Sequence, residues 1–106
     1  MYLISDGGIN TNISDTIEAI MLTKNMSYLD GVKLDVRKTI DNIFVLSKYN
    51  DLSKLTYSKN KVNESNYKYL RKVKFPSHIF KYYIPTLEEI LKNYNKKKII
   101  VLEIFE

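Results

Sequence analysis

A chain of 106 residues holds one domain or part of one, and its hydrophobic fraction of 44% argues against wholesale disorder. The net charge of +5 comes from 17 basic and 12 acidic residues, with arginine only at 37 and 71. The excess is therefore lysine, which favours solubility and loose attraction to anions over bidentate phosphate recognition. Cysteine is absent, which excludes disulfides and thiolate metal sites. No apolar run nears the ~20 residues of a membrane helix. The N-terminus has neither the basic start nor the long apolar stretch of a signal peptide, so a cytoplasmic protein is the default expectation.

The first element is a short apolar run, Tyr2-Leu3-Ile4, ending in Ser5-Asp6-Gly7-Gly8, which reads as a strand entering a glycine-rich loop. Ser14 or Asp15 then offers an N-cap, and Glu18 stands where a capping box from Asp15 needs it. Ile17, Ile20 and Met21 share the face of an amphipathic helix that ends near Met26. Gly31 to Arg37 alternates with period two: Val32, Leu34 and Val36 on one side, Lys33, Asp35 and Arg37 on the other. A turn at 39–42 separates it from a second β run at 43–46. Residues 47–84 are basic, tyrosine-rich and irregular, with a helix expected around 64–73 capped by Asn63.

Pro85, Thr86 and Glu89 form the strongest local signal. Proline ends what precedes it, threonine caps, and glutamate closes the box, so Leu87, Ile90, Leu91 and Tyr94 form one helical face. Ile99 to Phe105 is an apolar run of the kind buried on both faces of a parallel sheet. Strands alternating with helices predict an α/β domain with a parallel sheet.

In a β/α barrel, reactive side chains project from the C-terminal ends of the strands. Candidates are Ser5, Asp6, Lys33, Asp35, Lys48 and Glu103. Asp35 and Glu103 on adjacent strands have the oxygen ligands that suit magnesium or calcium, although a carboxylate in a strand is more often a salt-bridge partner. Lysines and tyrosines interleave over 67–75 and at 81–83, a pattern that can bind single-stranded nucleic acid. A solvated basic helix with tyrosines packed on the sheet accounts for it better, so nucleic acid is not the expected partner. His78, the only histidine, reads as a surface or partly packed residue, and Gly7-Gly8 as a turn.

The spacing of these segments resembles the first part of the glycerophosphodiester phosphodiesterase family, whose members read A-H-R-G, E-N-T, G-V-E-L-D-V, H-D, I-P-T-L-E-E and I-E-I-K in that order. The matching series is Ile4 to Gly7, Ser14 to Thr16, Gly31 to Val36, Lys48-Tyr49, Ile84 to Leu91 and Leu102 to Phe105. The separations of nine residues from Ser5 to Ser14 and fifteen from Lys33 to Lys48 match without a gap. The resemblance implies a partial TIM-type β/α barrel of about three β/α units with an incomplete parallel sheet. It makes 1–106 a single partial domain, with 47–84 as a basic insertion.

The resemblance also implies a site largely substituted. The two histidines that act as acid and base are matched by Ser5 and Lys48, so no catalytic residue is intact. Asp6 matches the phosphate-binding arginine, Lys33 a metal-binding glutamate, and Phe105 the lysine of I-E-I-K. Asp35 and Glu103 alone remain, as remnants of a metal site. A serine hydroxyl does not exchange protons near neutrality, and a lysine base needs a strongly lowered pKa. The Lys33 ammonium either occupies the metal position between Asp35 and Glu103 or points to solvent; neither supports hydrolysis.

The expectation is therefore a pseudoenzyme without a cofactor, although the family uses a divalent cation, magnesium or calcium. The family reaction is metal-dependent hydrolysis of glycerophosphodiesters to glycerol 3-phosphate and an alcohol, in lipid metabolism. Because a full barrel takes about 250 residues, three explanations are open: a gene fragment, self-association through the 99–105 strand, or a second chain supplying the rest of the barrel. The rival reading is a non-enzymatic binding or assembly module that uses the lysine- and tyrosine-rich surface or that edge strand.

Overall fold

The computed structural model describes residues 3–6, 20, 21, 23, 24, 26–54, 56–73, 83–94 and 96–105. The expected caps at Ser14 and Asp15, the start of the first helix, the Gly7-Gly8 loop, the 81–82 lysine–tyrosine pair and His78 lie outside them.

The sheet is organised around one strand. Strand β2 (Gly31–Lys38) carries β1 (Ile4–Asp6) and β3 (Phe44–Leu46) along one edge, β1 parallel beside its first residues and β3 antiparallel beside its last. Strand β4 (Ile99–Phe105) runs parallel along the other edge, from Gly31↔Ile99 to Arg37↔Phe105. Between β2 and β3 the turn is closed by Thr39, whose Oγ1 donates to Asp41 and accepts from the Ile43 amide, while Asn42 takes the left-handed φ of 62°. Asparagine tolerates that conformation better than most residues.

The alternation in β2 sorts its side chains as the sequence indicates. Val32, Leu34 and Val36 are fully buried and pack with Ile20, Leu46, Ile90 and Tyr94 in the main core. Within this apolar layer Thr23 donates from Oγ1 to the Ile20 carbonyl, which leaves the Tyr94 hydroxyl to donate to Thr23 at 2.6 Å. A buried hydroxyl without a partner is costly, so the two polar groups satisfy one another.

Helix α2 (Leu87–Asn93), which follows the short helix α1 (Tyr67–Leu70), begins as the capping box predicts: Thr86 Oγ1 accepts from the Glu89 amide and Glu89 Oε1 accepts from the Thr86 amide, both at 3.1 Å. Ile90 and Tyr94 are buried and Leu87 packs against the core. Leu91, expected on the same face, is 49% exposed. One position past Ile90 on a helix is a rotation of about 100°, and the short helix is covered on one side only.

The basic segment expected over 47–84 has local structure at its described residues 47–54 and 56–73. Two 3-10 turns, Leu52–Lys54 and Val62–Glu64, and the four-residue helix α1 (Tyr67–Leu70) place Leu52, Val62 and Leu70 in a second core with Val45, Val73 and Ile84. The helix expected over 64–73 shrinks to 67–70 because Ser65 is extended and breaks it (φ −124°, ψ 149°). Asn63 is not its cap; its amide and side chain bond instead to Asn50.

The apolar residues of β4 are partly to largely exposed, Ile104 at 56%, because among the described residues the strand pairs along one edge only and nothing covers its faces fully. At its start the fit with β2 is tight: a Cβ on Gly31 would lie 1.9 Å from the Ile99 carbonyl oxygen. Gly31→Ala should therefore cost about 1–3 kcal/mol, and Thr86→Ala about 1 kcal/mol through the lost cap. Urea denaturation of each variant checks both.

Candidate functional site

On the face of β2 opposite the main core, parallel register aligns Asp6 with Lys33 and Asp35 with Glu103. Paired residues of parallel strands point to the same side of a sheet, so four charged groups meet there. Lys33 Nζ lies 2.7 Å from Glu103 Oε2, 2.9 Å from Asp35 Oδ1 and 3.9 Å from Asp6 Oδ1. The first two are charge-assisted hydrogen bonds. Asp35 is the most sheltered member, its side chain 12% exposed, whereas Glu103 and Asp6 are open to solvent. The Glu103 and Asp35 carboxylates hold the ammonium, and push the Lys33 pKa well above the ordinary lysine range.

Of the two positions expected for Lys33, between the carboxylates or out to solvent, its ammonium takes the one between Asp35 and Glu103. The remaining candidates are elsewhere. Ser5 registers with Val32 and so falls on the core side of the sheet. Lys48 is exposed, with its ammonium 5.6 Å from the ring centre of Tyr49. Lys48 shares no described ion pair with the cluster.

Arg37 plays a part the sequence reading passed over. Its Nε and Nη2 donate to the carbonyls of Ser47 and Lys48, both at 3.0 Å, and its guanidinium lies 4.3 Å from the ring centre of Phe105. Period-two alternation had placed it beside Lys33 and Asp35, but the carbonyls it reaches carry no sequence signature. Of the interleaved tyrosines, Tyr67 donates to the Ile84 carbonyl, and Arg71 is held by Tyr67, Glu89 and the Tyr83 ring. These groups are spent on packing.

The donors present do not fit a divalent metal ion. Magnesium wants six oxygens in an octahedron and calcium six to eight. Here the space between the two carboxylates is filled by an ammonium, which would repel a second cation. Among the described residues no three histidine, cysteine, aspartate or glutamate side chains are arranged to hold a metal ion.

Parallel strands with a helix packed on one face, and charged side chains gathered on the other, define part of a β/α barrel. Solved structures give that class a narrower description. A glycerophosphodiester phosphodiesterase from Agrobacterium tumefaciens superposes with a TM-score of 0.87 at 20% identity, over 98% of this chain and 46% of that one. The Thermotoga maritima enzyme of the same name gives 0.80 at 26% identity, over 100% and 45%. An Oleispira antarctica phosphodiesterase, in complex with the product sn-glycerol-3-phosphate, gives 0.84 at 19%, over 99% and 44%.

The chain thus has the fold of the N-terminal part of a glycerophosphodiester phosphodiesterase barrel. It spans less than half the length of each of these neighbours. No protein-family model matches the sequence, and no curated protein matches it significantly. No described helix is long and apolar enough to cross a membrane.

Replacing Lys33 by methionine leaves Asp35 and Glu103 without their shared partner. The expected cost is about 1–2 kcal/mol, between the ranges for exposed and buried pairs. Because the folded-state pKa of Lys33 is raised, its contribution is complete below the unfolded lysine value of about 10.4 and fades as pH climbs past it. The stability gap between wild type and Lys33→Met should therefore be constant near neutrality and narrow above about pH 10.4. Denaturant midpoints across that range check the sign.

Proposed function

We propose that this chain is a glycerophosphodiester phosphodiesterase-like domain that does not hydrolyse phosphodiesters. The observation that carries the reading is the Lys33 ammonium seated between Asp35 and Glu103. Hydrolysis of a phosphodiester needs a group that gives or takes a proton near neutrality and a centre that neutralises charge on the transferring phosphoryl group. Ser5 and Lys48 are poor proton carriers, and Lys33, held firmly protonated, is no base. The carboxylates that could hold a metal ion spend their charge on an internal cation instead.

In the related reaction, a glycerophosphodiester yields glycerol 3-phosphate and an alcohol, which belongs to lipid metabolism. We place this domain beside that chemistry, in the cytoplasm, as a pseudoenzyme that takes up no metal cofactor at Asp35 and Glu103.

A second reading, assembly, is favoured by strand β4. Val101, Leu102 and Ile104 are exposed, and exposed apolar strands with an open edge invite pairing with another chain. The solved neighbours continue well beyond the part they share with this chain. A polypeptide that adds a parallel strand at β4 would be the partner in that reading, with a second copy of this chain as the simpler case.

The reading is tested by incubating the purified chain with glycerophosphocholine and either magnesium or calcium. No release of glycerol 3-phosphate above a buffer control is expected. Release that stops on adding a chelator would contradict it.

A further inference from the structure

Residues 54–72 hold six basic side chains and one acidic one, Glu64. Arg71 is tied to Glu89, whereas Lys54, Lys59, Lys61, Lys68 and Lys72 are exposed and form no ion pair among the described residues. Two tyrosines stand among these lysines with their rings open to solvent, Tyr57 at 76% exposure and Tyr69 at 44%. We propose that Tyr57, Lys59, Lys68, Tyr69 and Lys72 form a surface that binds single-stranded nucleic acid.

Local structure brings the five together. In α1, Tyr67 and Leu70 turn towards the second core. Successive helical residues are about 100° apart, so Lys68 and Tyr69 fall on the outward side. Lys72 joins them, because the turn continues and its amide donates to the Tyr69 carbonyl. The Tyr69 hydroxyl meets Ser58 Oγ at 2.8 Å, which docks the 57–59 stretch against that side. Lys59 also shares a shallow depression with Lys61 and Glu64, where the lysines outnumber the carboxylate.

The arrangement suits a flexible polyanion with flat bases. A solvent-facing tyrosine ring stacks on any base, and lysines around it meet phosphates as point charges, without bidentate geometry. The lysine–tyrosine pattern over 67–75 thus divides: Tyr67 is held on the Ile84 carbonyl, and Tyr69 presents its ring. An anionic membrane is served less well, since the large apolar side chains described as exposed in 54–72 are these tyrosines, with no aliphatic one to insert among acyl chains. The surface uses no residue of the Lys33 cluster, so it stands whether or not the domain hydrolyses phosphodiesters.

The test is a fluorescence-anisotropy titration of the purified full chain into labelled oligothymidylate, oligouridylate and a DNA duplex of equal length. Saturable binding to a single strand is expected, tighter than to the duplex, and the better of the two strands identifies the preferred sugar. Three lysine–phosphate contacts predict that log affinity falls with log salt at a slope of about −2. Tyr57, whose side chain makes no described bond, gives the decisive variant: Tyr57→Ala should keep the fold and weaken binding about tenfold. Replacing Lys59 and Lys68 together by glutamine should flatten the salt slope by about 1.4. Saturation by neither strand, equal affinity for the duplex, unchanged affinity in Tyr57→Ala, or tighter binding to phosphatidylserine vesicles would each overturn the proposal.

Discussion

One ammonium group between two carboxylates joins the two longest strands of this fold. Lys33 on β2 reaches Glu103 on β4 and Asp35 on its own strand, and Asp6 on β1 faces the same point. Without that positive charge, three carboxylates would converge on one face of a parallel sheet, and their repulsion would work against β1–β2–β4 pairing. The pairing itself is supported by the apolar face behind it, where Val32, Leu34 and Val36 are sealed by Ile90, Tyr94 and Leu46. Strand β2 thus divides the molecule into an apolar side that stabilises and a charged side that could do chemistry.

The same interaction decides what the charged side can do. An ammonium of raised pKa stays a cation over the physiological range, so it does not shuttle protons there. It resembles a metal in sign but provides one positive charge, with no open coordination site for a water or a phosphate oxygen. In the proposed reading, the domain keeps the barrel's arrangement of strands and loses the means by which such a face polarises a phosphoryl group. Solved neighbours at 18–27% identity share the backbone, and at that distance the site has to be argued from its own residues.

Much of this was legible from the amino-acid sequence where a local rule was at work. Period-two alternation gave both faces of β2. The Thr86–Glu89 capping box gave the start of α2, and the two open positions for Lys33 followed from the matched segments. Legibility failed where contacts are long-range and carry no period. The second core joins Val45, Leu52, Val62, Leu70 and Ile84 through reciprocal Asn50–Asn63 bonds and the Tyr67 hydroxyl on the Ile84 carbonyl. No spacing rule announces such pairs, and the lysines around them suggested an irregular basic insertion with one helix. For Ile99 to Phe105 the apolar run showed a strand but not what covers it, since hydrophobicity records a capacity for burial and not the neighbour that supplies it. Arg37 stood in plain alternation, yet its partners are backbone carbonyls that any sequence would offer.

The most direct test of the account is to observe the Lys33 ammonium itself, through its nitrogen–proton correlation in solution, before and after magnesium or calcium is added. A resident ammonium bonded to two carboxylates exchanges its protons slowly, so the account predicts a resolved signal that neither metal displaces. A signal that vanishes or moves as metal is added, together with shifts at the Asp35 and Glu103 carboxylates, would show that a divalent ion takes the place assigned to Lys33.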